Sequence, residues 1–93
     1  MFKKFSYLFI LIFCIGTSVS AQEIYNNLKK GIQHLEKENY PDAEASFKKV
    51  IELNDTIKEA YFNLGNAVYS QERFEEAREN YTKALSYSES KTD

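Results

Sequence analysis

The sequence predicts an all-α fold: two tandem helix-turn-helix units stacked as an α-α solenoid. Three observations predict it. Two segments superimpose at a fixed offset of 34 residues. Each carries a stripe of apolar residues at helical spacing, and in each the small residues recur beside aromatics as close helix packing requires. With 93 residues, 43% hydrophobic and 28% charged, one Pro and three Gly, the chain has room for one small domain, and its composition argues against wholesale disorder.

Residues 1–21 read as a secretory signal peptide. Lys3 and Lys4 form its positive start, residues 5–15 its apolar middle, and Val19-Ser20-Ala21 a small-residue cleavage site. Cleavage is expected to leave Gln22 as the first mature residue and to export the protein to the periplasm or extracellular space, most simply in a bacterial envelope. The eleven-residue apolar middle, interrupted by Ser6, falls short of the roughly 20 helical residues that span a bilayer. An uncleaved leader tethering the helices to the membrane, as a structural subunit of an envelope complex, is the alternative. Cys14 follows bulky Phe13, where lipid attachment wants a small residue. As the sole cysteine it also rules out an internal disulfide or a cysteine zinc cage.

Loss of the leader removes Lys3 and Lys4 and no acid. The 12 basic residues fall to 10 against 14 acidic ones, and the net charge moves from −2 to −4. Such a surface holds no cationic field for phosphates, so nucleic acid is not an expected partner.

The mature chain is expected to begin with a helix over about 23–38, closed by a tight turn at Asn39-Tyr40. A second helix over 41–53 starts with Pro41, whose missing N–H would lack an intrahelical partner in a first turn anyway. Tyr40, Ala43, Phe47, Val50 and Ile51 are spaced by 3, 4, 3 and 1 and share one stripe. Asn54-Asp55 ends that helix. Thr56-Ile57-Lys58-Glu59 has capping-box form and marks the start of a third, over about 57–71. A turn at Glu72-Arg73 leads to a fourth helix ending near Ser88. There Phe74, Ala77, Tyr81, Ala84 and Leu85 repeat the earlier spacing without a gap. Gly31 and Gly65, also one period apart, are expected to be contact points between helices.

Tyr61, Leu64, Gly65, Phe74, Ala77, Tyr81 and Ala84 resemble the signature of the tetratricopeptide repeat, with Val68 or its neighbour Tyr69 serving as its second aromatic. Gly31, Tyr40, Ala43 and Phe47 resemble it more loosely, with Asn27 and Lys30 where an aromatic and a Leu are expected. The terminal Pro is replaced by Asp55 and Glu89. The resemblance covers nearly all of a domain over 22–93, with repeat one over about 24–57 and repeat two over about 58–91. The phrase Ala60-Tyr61-Phe62-Asn63-Leu64-Gly65-Asn66-Ala67, behind an export leader, also looks like the exported repeat proteins of bacterial aerotolerance operons. What the family implies is right-handed superhelical stacking and a scaffold that binds proteins or peptides without chemistry of its own.

The resemblance further implies a concave partner-binding surface from the first helix of each repeat: Tyr25, Leu28, Ile32, Leu35 and Glu36 from one, Glu59, Phe62, Asn63, Asn66 and Tyr69 from the other, with Ser70 beside them. Leu28, Ile32, Leu35, Phe62 and Tyr69 form either an apolar binding patch or a face buried against a neighbouring helix or a second copy. Asn63 and Asn66 suit recognition of a peptide backbone. Leu28 and Ile32 stand where family members that clamp a C-terminal carboxylate carry Lys and Asn, so that ligand is not expected.

No catalytic, cofactor or metal role is expected. His34 is the sole histidine and has no nucleophile motif beside it. The acidic run Glu72, Glu75, Glu76 and Glu79 is interleaved with Arg73, Arg78 and Lys83 and reads as a solvated helix face. Two repeats bury little core, so completion of the array by self-association, by a partner, or by further chain beyond residue 93 is expected.

Overall fold

The computed structural model describes residues 21–89, and within them every regular element is helical. Four helices follow in order: α1, described over 21–36, then α2 (Tyr40–Leu53), α3 (Lys58–Tyr69) and α4 (Phe74–Glu89). The leader expected over 1–21 lies, except for Ala21, outside the described residues.

The 34-residue period governs the backbone as well as the side chains. Glu38 and Glu72 both adopt φ 63°, the left-handed region. In each turn this residue's N–H bonds the carbonyl three positions back, Glu38 to Leu35 at 3.0 Å and Glu72 to Tyr69 at 2.9 Å. The next N–H reaches five positions back, Asn39 to His34 at 2.8 Å and Arg73 to Val68 at 3.0 Å. This pair of bonds is the Schellman closure, which satisfies carbonyls that the helix end leaves without partners. Glutamate occupies a position that glycine usually fills.

Two local expectations need correction. The first turn centres on Glu38 rather than Asn39-Tyr40: Asn39 is the N-cap and Tyr40 already opens α2, because the Schellman bonds complete the reversal two residues earlier. The capping box at Thr56 does not form. Ile57 is the N-cap of α3 and no side chain caps it. The Thr56 hydroxyl instead donates to Asn54 Oδ1 at 2.7 Å, and the same oxygen accepts from the Thr56 N–H at 3.0 Å. A nearby carboxamide thus outcompetes the helix end for a short side chain.

The core confirms the pairing of small with large. Ala43, Phe47, Leu64, Ala67, Val68 and Ala77 form one buried cluster, with Leu28, Leu35, Ile51 and Tyr81 packed against it. Phe47, Val50 and Val68 are fully buried, each contributing about 1.5–3 kcal/mol relative to exposure. A Cβ placed on Gly31 would stand 2.5 Å from Phe47 Cε1, and one on Gly65 2.6 Å from Tyr81 Cε1. Each glycine therefore admits an aromatic ring of the following helix directly onto its backbone.

Candidate partner-binding surface

The residues expected on one concave face are distributed over two clefts. Between α1 and α3 lies an open cleft of about 510 Å³, lined by Tyr25, Leu28, Ile32, Glu36, Glu59 and Asn63 together with Lys29 and Gln33. Between α3 and α4 lies a larger one of about 700 Å³, where Phe62 and Asn66 join Glu59, Asn63, Tyr81, Ala84 and Leu85. Tyr69 belongs to neither. It stacks edge-on against Phe74, ring centroids 5.1 Å apart, beside a smaller depression on α4. Leu35 packs against the core cluster, as Leu28 does in part. Ser70 is exposed in the turn after α3.

Helical periodicity explains the first cleft. Tyr25, Leu28, Ile32 and Glu36 follow at intervals of 3, 4 and 4, and Glu59 and Asn63 at 4, so one stripe of each helix meets across the gap. Its floor is apolar and its edges carry Lys29, Glu36 and Glu59, which suits a partner offering both apolar and charged groups. The Asn63 amide donates to the Glu59 carbonyl at 2.9 Å. Asn66 accepts from the Tyr81 hydroxyl at 2.6 Å, so this carboxamide oxygen is already engaged within the fold. Burial pushes the Tyr81 phenol above its usual range, and the Tyr61 phenol likewise.

Two members of the acidic run form ion pairs. Arg73 Nη2 meets Glu76 Oε2 at 2.5 Å, and Arg78 approaches Glu75 at 4.0 Å. Lys83 instead lies over the Tyr61 ring, 5.5 Å from its centroid, while Tyr61 stacks on Tyr87 at 5.5 Å and donates its hydroxyl to the Asp55 carbonyl at 2.7 Å. His34 is half-buried, and its Nδ1 has no hydrogen-bond partner. Among the described residues no group of three or more His, Cys, Asp or Glu side chains could hold a metal ion. Nor is any described helix long and apolar enough to cross a membrane.

The most connected polar group escaped sequence reasoning. Glu44, buried on α2, receives Arg73 Nη1 at 2.8 Å and Nη2 at 3.0 Å, Gln71 Nε2 at 3.0 Å and Lys48 Nζ at 2.7 Å. The Arg73 guanidinium, with Lys48 and Gln71 adding to it, holds this carboxyl down at about 2 against the opposing effect of burial. Reciprocally, Glu44 and then Glu76 raise Arg73 further above its ordinary value. A signal existed: Glu44 lies three residues before Phe47 and four after Tyr40, on the flank of the buried stripe, where an unpaired charge would be costly.

A family model described as Tetratricopeptide repeat matches residues 28–91. Among curated proteins none matches the chain.

Proposed function

Because the chain belongs to the tetratricopeptide repeat family, whose repeats generally mediate protein–protein interaction, we propose that it is an exported adaptor that binds a protein or peptide through the α1/α3 cleft. The fold is typically a non-catalytic scaffold. The observation that carries the reading is the cleft itself: Tyr25 and Ile32 are exposed apolar side chains of one helix facing Glu59 and Asn63 of another, with charged groups at the edge. An exposed apolar floor with a polar rim is the usual form of a protein-recognition site.

Panning a random peptide library against the purified protein tests the cleft. Selected peptides are expected to lose affinity at least about tenfold on Ile32→Glu and to keep it on Leu85→Asp, because Leu85 lies on another face. Ligands indifferent to Ile32 and Tyr25 would refute the assignment. Export rests on the leader sequence alone. An intact mass corresponding to a start at Gln22 in the exported fraction is the expected outcome, and protein found only inside the cell with residues 1–21 retained would count against it.

A further inference from the structure

Removal of the leader after Ala21, the part of the proposed function on which this inference rests, changes the chemistry of the residue it exposes. The backbone is already helical at Ala21 and Gln22, so cleavage there leaves no overhang. Gln22 becomes the opening residue of α1 itself.

A glutamine in that place carries an electrophile within reach of its own nucleophile. The α-amine that cleavage releases is one five-membered ring away from the side-chain carbonyl carbon Cδ. The amine nitrogen adds to Cδ, the Cδ–Nε2 bond breaks, and Nε2 departs as ammonia with the proton that the amine gives up. The product is a pyroglutamyl lactam, and its formation consumes no oxidant, reductant or further reactant.

The fold leaves Gln22 free to close. Its side chain is exposed, and the bond from Nε2 to Asn26 Oδ1 at 3.1 Å is exposed as well, so water replaces it at little cost. The new ring has the size of proline's. A first helical turn accepts such a ring, because an N–H there lacks an intrahelical partner.

Closure also removes a misplaced charge. An α-ammonium on Gln22 would stand at the positive pole of α1, whereas a neutral lactam leaves the carboxylate of Glu23 as the charge of that turn. Three residues on, Tyr25 is 60% exposed and lines the α1/α3 cleft. Fraying of this turn would withdraw one wall of the cleft, and a free ammonium is the group that aminopeptidases grip.

We propose that the exported protein carries pyroglutamate at position 22, a blocked terminus that holds the first turn of α1, and Tyr25 with it, against fraying and exopeptidase trimming.

The test is the intact mass of protein taken from the exported fraction and acid-quenched at harvest. The expected value is that of residues 22–93 less about 17 Da, the ammonia lost. A full-mass chain starting at Gln22, cyclising only on storage, would overturn the proposal and leave export standing. A chain starting elsewhere, or one found only inside the cell with residues 1–21 retained, would sink the underlying reading too. Gln22→Met keeps an unbranched side chain that cannot close. That variant is expected to be shortened by added aminopeptidase while the parent resists, and to exchange its Asn26 and Asn27 amide protons about two- to fivefold faster. Equal trimming or equal exchange in the two proteins would also overturn the proposal.

Discussion

Gly31 illustrates how much of this fold turns on a missing methyl group. Alanine is about 1 kcal/mol better than glycine in a helix interior, so Gly31→Ala ought to stabilise α1 if local propensity decided the outcome. It does not decide here. The added Cβ would meet Phe47 Cε1 and Cζ at 2.5 Å, and Phe47 is fully buried with nowhere to retreat. Overpacking of this kind costs about 1–3 kcal/mol, which offsets or exceeds the propensity gain, and the expected result is a net loss of up to about 2 kcal/mol. In a domain this size that is a fall in Tm of roughly 4–8 °C per kcal/mol. Gly65→Ala should cost less. The Tyr81 ring it would strike is only half-buried and can swing outward, at the expense of the hydroxyl's bond to Asn66. Thermal melts of the two variants check the order, and a more stable Gly31→Ala protein would contradict it.

Between elements, the Glu44 and Arg73 pair ties the middle of α2 to the turn joining α3 and α4, across 29 residues of sequence. Its consequence is a specific acid sensitivity. The carboxyl titrates at about 2 in the fold against an ordinary 4.5, so the unfolded chain binds the proton more readily. The pair's stabilisation is therefore complete above about pH 5 and is lost as pH falls toward 2. Glu44→Gln is expected to cost about 1–2 kcal/mol at neutral pH, a modest figure because the Arg73 side chain is 39% exposed and water screens it. It should also flatten the dependence of Tm on pH across that acidic window. A variant whose acid melt parallels the parent's would show that other carboxylates carry the effect. The Schellman turns at Glu38 and Glu72 belong to this scale too. Both reverse the chain through identical bonds, which is why α1–α2 and α3–α4 form equivalent hairpins.

For the molecule as a whole, two stacked hairpins present two ends of opposite character. The outer positions of α1 are polar at Lys30, Gln33 and His34, whereas the α3/α4 face exposes Phe62, Tyr69, Phe74 and Leu85. Among the described residues the α3/α4 end is therefore the more apolar of the two. Much of the architecture is legible from spacing alone. The stripe through Ala43, Phe47 and Val50, the repeat of it through Ala77 and Ala84, and the glycines beneath the rings follow from a period that recurs within the chain, so each half predicts the other. Helix formation and the pairing of small with large are local or periodic properties, and the sequence by itself determines them. Tertiary structure alone decided the rest. Glu59 and Asn63 line the clefts on both sides of α3, Phe62 only the one toward α4 and Tyr69 neither, because the neighbouring helix on each side differs. Thr56 has the form of a cap and bonds Asn54 instead. Glu44 becomes a buried, depressed carboxylate only because folding brings Arg73 to it from a distant turn. Where a side chain's environment is set by its own helix, sequence suffices. Where a second element supplies the partner or withholds it, the free energy depends on a juxtaposition that no local pattern contains.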